Sequence, residues 1–303
     1  MTNIERSGQG VIYSAAGKKY VKEAIISAKS LKKNNKDINI TIFVDDKGLL
    51  RNSVHLFQYI YEIERPEYSY GDKLYAMKHT PYQETLFLDT DIIITDNISE
   101  VFGVLNKYDL AAANVAYNFY YYPHYNTGVI AYSMNKATKN FLDFWNASYD
   151  RERENHDQGA FQRALDQRTI KFFTLPSKYN FRPRFASYVK GKIKIVHCHT
   201  LNMNKNQRKN FTEFLNSSHK ERVWFPRKKI IVNFKPYPNL CLKLLYYFDI
   251  FFLKKIKFWH LFQRRWLFHH SLISFFPWLI NWVIPMEYRR KMLILNKKIR
   301  NYN

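Results

Sequence analysis

Apolar and polar residues follow two periods in the first two hundred residues, and the two periods take turns along the chain. VIYSAA (11–16) is a short apolar run closing on small residues, which predicts a first buried strand. From Tyr20 to Leu31 the apolar residues Val21, Ala24, Ile25, Ala28 and Leu31 recur at helical spacing, with lysines on the other face. INITIFVDD (38–46) is β-branched and ends in two acids, a second strand feeding a loop. A helix is expected from Leu74 to His79, limited by Pro81. LFLDTDIIIT (86–95) is the most strand-like segment of the chain. LAAANVAY (110–117), TGVIAYSM (127–134) and KIKIVHCH (192–199) add strands, while Lys136 to Tyr149 and Asp157 to Leu165 add helices. Strands alternating with helices predict an α/β fold with a mostly parallel sheet flanked by helices.

The pattern changes near residue 223. From there aromatic clusters such as LLYYFDIFFL and LISFFPWLINWVI are interleaved with Lys/Arg groups. Residues 266–286 contain no Asp, Glu, Lys or Arg and are flanked by Arg264-Arg265 and Arg289-Arg290-Lys291. That length could span a bilayer, but His269, His270, Pro277, Asn281 and Pro285 interrupt it. The expected arrangement is helices lying in a membrane interface, aromatics sunk and cations meeting lipid phosphates. Two regions follow: a catalytic domain over 1–222 and a basic, aromatic, helical extension over 223–303.

Charge sharpens the division. The net charge is +23, yet residues 1–200 carry 27 Lys+Arg against 21 Asp+Glu, giving +6. Residues 201–303 carry 21 Lys+Arg against four acids, giving +17. Such asymmetry points to an anionic partner, nucleic acid or membrane. Because the aromatics come in apolar clusters rather than singly among charges, an anionic membrane surface is expected and nucleic acid is not. With 46% hydrophobic and 17% aromatic residues the chain can bury a core, which excludes wholesale disorder. Cys198 and Cys241 form no metal-ligand spacing and suit a reducing compartment. The opening MTNIERSGQG does not lead a charged stretch into a long apolar run, so neither a signal peptide nor a leading anchor is expected. A cytoplasmic protein, peripherally attached to the inner face of the cell membrane, is the expectation.

Four segments carry candidate chemistry. In LFLDTDIII, residues i and i+2 of a strand face the same side, so Asp89 and Asp91 project together, and two carboxylates on an apolar strand call for compensation. A hard cation, Mg²⁺ or Mn²⁺, supplies it and can bridge a diphosphate. In KIVHCHT, His197 closes a β-rich run and can complete such a shell, or serve as a core or supporting histidine. In NHDQGAFQRAL, Asp157 opens a helix, as a simple cap or as a functional group, with Gln158 beside it. In YNTGVIAY, Asn126 and Thr127 precede a glycine and a strand, placed for sugar hydroxyls or for a turn.

Taken in this order, the segments resemble the family 8 glycosyltransferases of GT-A fold. The resemblance covers roughly residues 10–200. It implies that the end of VIYSAA, with Ala15, Ala16 and Tyr20, meets the base and ribose of a nucleotide-sugar donor. It implies that Asp89 and Asp91, with Thr90 between them, form the metal motif, and that His197 is the third metal ligand. YSYGDKLYAM resembles the family's helix whose basic residue reaches the donor, which puts Lys73 there, one residue short of the usual register. YNTGV resembles the stretch that contacts the donor sugar, HDQGAFQ puts Gln158 near the anomeric carbon, and LPSKYN (175–180) matches the run before the metal-ligating strand. Two departures stand out: LNMNKNQRK follows the histidine in place of a lysine-proline-tryptophan, and AAANVAYN lacks an acid usual there. The implied activity is metal-dependent, retaining transfer of a hexosyl group from a nucleoside-diphosphate sugar to a glycan or glycolipid acceptor, as in bacterial lipopolysaccharide or capsule synthesis. An inverting enzyme would use a carboxylate such as Asp157 as base. A nucleotidyltransferase also uses paired acids and a metal, but SAAGKKY is a poor phosphate loop.

Overall fold

Strand β1 (Gln9–Ala15) shows how the fold is built, because its residues alternate between two separate apolar layers. Val11, Tyr13 and Ala15 face one layer and Ile12 the other, as the two-residue period of a strand dictates. The computed structural model describes residues 6–114, 125–154, 156–185, 187–217, 221–225 and 230–233. Around β1 stand helix α1 (Lys18–Asn34) and strands β2 (Asn39–Val44) and β3 (Tyr59–Glu62). Then come α2 (Tyr70–Lys78), β4 (Glu84–Leu88), β5 (Ile92–Ile94), the single-turn α3 (Glu100–Gly103), β6 (Leu110–Asn114) and β7 (Tyr125–Ser133). The chain continues through α4 (Lys136–Ser148), α5 (Gln158–Gln167), β8 (Phe172–Leu175), β9 (Ser187–Val189) and β10 (Ile195–His197). Helix α6 (Lys205–Leu215) and strands β11 (Arg222–Phe225) and β12 (Ile230–Asn233) complete the described elements.

Seven strands form the central sheet in the order β3-β2-β1-β4-β7-β6-β8. All neighbours are parallel except that β7 runs antiparallel to both β4 and β6. Val21, Ala24, Ala28 and Leu31 of α1 cover one face, and α2, α4 and α5 cover the other through Leu74, Met77, Phe141, Trp145 and Phe161. Both faces are therefore dry, as a largely parallel sheet requires. This is the mostly parallel, helix-flanked α/β sheet of GT-A type that the sequence led us to expect.

The structure corrects three sequence expectations. LFLDTDIIIT is not one strand: the ladder of β4 ends where Asp89 N donates to Gly128 O at 2.8 Å. The chain then turns, and β5 pairs antiparallel with β10, Ile92 opposite His197. Two carboxylates cannot stay in a sheet buried on both faces, while a second small sheet absorbs the isoleucines that follow. Helix α2 starts at Tyr70 rather than Leu74, because Ser69 accepts a hydrogen bond from Gly71 N and sets the first turn ahead of the apolar residues. The run 192–199 yields only three strand residues, Ile195–His197.

The described residues all belong to one compact unit, Met1–Lys235. Strand β11 pairs with β9 and β12 in a three-stranded sheet, so ordered structure continues past residue 222. The aromatic and basic segment from residue 234 onward, including 266–286, lies outside the described residues. Among the described residues no helix is long and apolar enough to cross a membrane.

Candidate functional site

The carboxyl ends of β1, β4 and β10 and the amino end of the antiparallel β7 open into one cleft of about 630 Å³. In an α/β sheet this is where ligands bind, since the loops there diverge. The turn after β4 carries Asp89, Thr90 and Asp91; β10 delivers His197; the start of β7 delivers Asn126 and Thr127; α2 delivers Lys73; and the start of α5 delivers Asp157 and Gln158. All of these line the cleft, as do Ala16 and Tyr20, whereas Ala15, the last residue of β1, is fully buried in the core.

Asp89, Asp91 and His197 converge. One ligand atom from each lies within 4.8 Å of the others. His197 Nε2 is 3.1 Å from Asp91 Oδ1 and 3.7 Å from Asp89 Oδ2. A chain of hydrogen bonds fixes which ring nitrogen faces them. Asn126 Oδ1 accepts from Gly128 N at 3.2 Å and from Asn180 Nδ2 at 2.7 Å, which orients the Asn180 amide. Asn180 Oδ1 then lies 3.0 Å from His197 Nδ1, so Nδ1 donates and Nε2 points toward the two carboxylates. Three acceptor atoms thus face one point. A proton can reconcile one pair of them; a divalent cation reconciles all three, and oxygen with imidazole suits Mn²⁺ or Mg²⁺. His199 Nδ1 approaches Asp91 Oδ2 at 3.4 Å from a more exposed position.

Gly128 makes this convergence possible. A Cβ there would lie 2.3 Å from His197 Cε1 and 2.6 Å from Asp89 Oδ2, closer than side chains tolerate. The N-T-G run therefore ends in glycine because the backbone of β7 passes directly under the histidine and the carboxylate.

Electrostatics separate the two acids. Burial pushes the Asp89 carboxyl above its ordinary range, opposed by Lys73 and His197 and reinforced by Asp91 and Asp157. Burial also pushes Asp91 up, but with a proton on His197 Nε2 its hydrogen bond and charge, together with His199, outweigh burial and hold Asp91 below the usual range. Beneath the turn, Thr90 Oγ1 donates to Glu23 Oε2 at 2.9 Å, and burial raises the carboxyl of Glu23.

Asp157 is not a simple cap. It precedes α5 with helical backbone angles and makes no capping bond. Instead Thr127 Oγ1 donates to its Oδ1 at 2.8 Å, and Lys73 Nζ lies 3.1 Å from its Oδ2. Lys73 also donates to Thr127 O at 2.5 Å, sits 3.7 Å from Asp89 Oδ1, and lies over the Phe87 ring at 4.9 Å. Trp145 Nε1 holds the Asp157 carbonyl at 3.1 Å. The side chains of Asp157 and Lys73 are 0% and 6% exposed, so this ion pair lies below the cleft floor.

The model of nucleotide-diphospho-sugar transferases matches residues 83–236, about half of the chain. The chain belongs to that family, the family 8 type of glycosyltransferase. No curated protein matches it by sequence. Solved structures similar to this family member include the glycosyltransferase GlyE of Streptococcus pneumoniae TIGR4, at 17% identity and a TM-score of 0.46, covering 58% of this chain and 47% of that one. The galactosyltransferase LgtC, in complex with donor and acceptor sugar analogs, is similar at 14% identity and a TM-score of 0.46, covering 69% and 96%. Mouse xyloside xylosyltransferase 1 is similar at 12% identity and a TM-score of 0.45, covering 65% and 100%. The chain spans about half the length of GlyE. The glycosyltransferase cleft also holds residues that sequence reasoning did not single out. Asn180 stood in the recognised LPSKYN run, but nothing in the sequence signalled that its amide fixes the tautomer of His197. Gly128 stood in the YNTGV run, but nothing there signalled its close approach to His197 and Asp89, and Glu23, Arg182 and Arg184 carried no pattern beyond their place in otherwise ordinary segments.

Proposed function

We propose that this glycosyltransferase is metal-dependent and retaining, and moves a hexosyl group from a nucleoside-diphosphate sugar to a saccharide or lipid-linked glycan in cell-surface polysaccharide synthesis. The observation that carries this reading is the meeting of Asp89, Asp91 and His197 Nε2 around one point, with Nδ1 committed to Asn180. A bound Mn²⁺ or Mg²⁺ would act as a Lewis acid that stabilises the departing diphosphate. The chain's own residues do the rest. Asp89, Asp91 and His197 would hold the cation, and Asn180 and Gly128 keep them in place. Lys73, anchored by Asp157 and Thr127, presents a fixed positive charge next to Asp89. Ala16 and Tyr20, at the β1 end of the cleft, take the base and ribose side. Asn126 and Thr127 support the sugar side, mostly by holding the wall, since their oxygens are engaged by Gly128, Asn180 and Asp157. Gln158, one residue past the buried Asp157, lines the cleft and would stabilise the reacting carbon. Asp157 is fully buried and ion-paired, which disfavours it as the base of an inverting reaction and supports retention.

The test is a screen of nucleoside-diphosphate sugars with Mn²⁺, read as slow hydrolysis of the preferred donor. Free nucleoside diphosphate is the expected product; pyrophosphate would replace this reading with nucleotidyl transfer. Chelation with EDTA should remove the activity and added Mn²⁺ restore it. Activity indifferent to EDTA would exclude the metal.

Gly128→Ala addresses the geometry itself. It should weaken Mn²⁺ binding by about 10- to 100-fold, the range seen when groups supporting metal ligands are displaced. A Mn²⁺ titration giving wild-type affinity would show that the three side chains do not need this close approach.

We further propose that residues 223–303 attach the protein to the inner face of the cell membrane. The +17 charge of residues 201–303 and the aromatic clusters within it support this. Flotation with vesicles of phosphatidylglycerol and phosphatidylcholine should carry the full chain upward, less so at high salt. An oligonucleotide shift without flotation would favour nucleic acid instead.

A further inference from the structure

The cleft contains two cations that no carboxylate among the described residues neutralises. Arg182 and Arg184 both line it, from the turn that links Asn180 to β9. Among the described residues neither is part of an ion pair, whereas Arg151 is paired with Glu67 and Arg163 with Glu154. Arg182 Nη1 is buried and has no hydrogen-bond partner among the described residues. A guanidinium hydrogen denied both water and an acceptor is unfavourable unless something else occupies its direction.

The turn is held rigidly. Phe185 N donates to Arg182 O at 3.0 Å, closing it, and Trp224 Nε1 donates to Pro183 O at 2.8 Å. The Arg182 guanidinium rests 4.5 Å from the centre of the Phe185 ring, which fixes its plane without satisfying its hydrogens. The turn also begins beside the metal cluster. Phe181 N donates to Ile195 O, His197 N donates to Phe181 O, and the Asn180 amide holds His197 Nδ1. The two arginines are thus mounted on the segment that positions the histidine.

The charges of the cleft indicate what they receive. A divalent cation held by Asp89, Asp91 and His197 is balanced by the two carboxylates, and Lys73 is balanced by Asp157. A nucleoside-diphosphate sugar brings two further negative charges, one on each phosphate. Besides Lys19, which lies over the Tyr20 ring on α1, Arg182 and Arg184 are the remaining cations of the cleft.

We propose that Arg182 and Arg184, from the turn of residues 182–185, clamp the diphosphate of the donor by pairing their charges with those of its phosphates. When the bond from the anomeric carbon to the diphosphate oxygen breaks, its electron pair stays on that oxygen; the acceptor hydroxyl oxygen bonds to the anomeric carbon and releases its proton to water, and the arginines offset the negative charge added to the diphosphate. The assignment rests on the nucleotide-sugar reading above.

The experiment measures affinity of the full-length protein, with Mn²⁺ present, for UDP, GDP, ADP and dTDP, and for the nucleoside matching the tightest of them. Arg182→Gln should weaken the preferred diphosphate about tenfold or more, as loss of a charge-assisted hydrogen bond does, and leave the nucleoside within about twofold. Arg182→Lys should retain an intermediate affinity. Because no carboxylate among the described residues loses a partner, Arg182→Gln should not lower the thermal midpoint; Arg184→Gln should act on diphosphate affinity in the same direction, less strongly, since it is exposed. Unchanged diphosphate affinity in both variants overturns the clamp, including the case where only the KM for acceptor rises, which would assign the pair to an anionic acceptor. A fall in nucleoside and diphosphate affinity together also overturns it, since that is a general distortion. Failure of the wild-type protein to bind any of the four diphosphates is the separate result that removes the nucleotide-sugar reading itself.

Discussion

Asp91→Asn should lower sugar transfer by more than about a hundredfold while the protein stays folded. Loss of a group that merely supports a metal ligand weakens metal sites by about 10- to 100-fold, and Asp91 is one of the proposed ligands itself. The amide keeps the size of the carboxylate but removes the negative charge that faces His197 Nε2 at 3.1 Å and His199 Nδ1 at 3.4 Å. Asp89→Asn should do the same through the other carboxylate, with an added consequence, because Asp89 also lies 3.7 Å from Lys73. Asp89→Asn should cost little stability, because Asp91 and Asp157 repel its carboxylate. Asp91→Asn should cost somewhat more, because His197 and His199 favour the carboxylate there, while the backbone of the turn stays held by Asp89 N to Gly128 O and by Cys198 N to Asp91 O at 2.9 Å. Donor hydrolysis and Mn²⁺ titration read the effect directly. Wild-type turnover in both variants would detach the metal from the mechanism.

The second large effect concerns stability. Asp157→Leu leaves the Lys73 ammonium buried with Thr127 O and a more distant Asp89 for company. Stripping one partner from a buried ion pair costs about 3–5 kcal/mol. In a unit of this size that is a fall of roughly 6–20 °C in the unfolding midpoint. Trp145 still holds the main chain at residue 157, so the loss is that of the charge and not of the helix start. The double variant Lys73→Met/Asp157→Leu should recover most of the lost stability, because two apolar side chains replace a pair whose desolvation offsets its attraction. It should remain inactive, since the positive charge beside Asp89 is gone. Calorimetry of the two variants checks both halves. A single variant melting with the wild type would mean that the pair is solvated rather than buried.

Much of this site could be read from residue order. Asp89, Asp91, Asn126, Gln158 and His197 were picked out along the chain, and the structure brings them into one cleft. The reasoning that linked the two acids was nevertheless different from what the molecule does. A continuous strand would place them on one face by its two-residue period; the actual chain turns at Asp89 and brings them together through pairing of β5 with β10. Local periodicity cannot distinguish these cases, since the isoleucines after the motif suit either sheet.

What the sequence determined by itself was the class of the fold and the approximate place of each element, because burial on one or two faces imposes periods of 2 or 3.6 on any chain. It also determined the presence of paired acids, a histidine and a basic, aromatic rear segment, since these are matters of residue type. Tertiary structure decided everything that depends on atoms from distant segments meeting. Only in the fold does Asn180 fix the tautomer of His197, Gly128 leave room for it, and Asp157 turn from a helix cap into the buried counter-ion of Lys73. Hydrogen bonds and ion pairs act over about 3 Å, while their partners here stand 17 to 84 residues apart along the chain. Of the two acids first noticed, the sequence supplied the carboxylates; the fold supplied the point at which they meet.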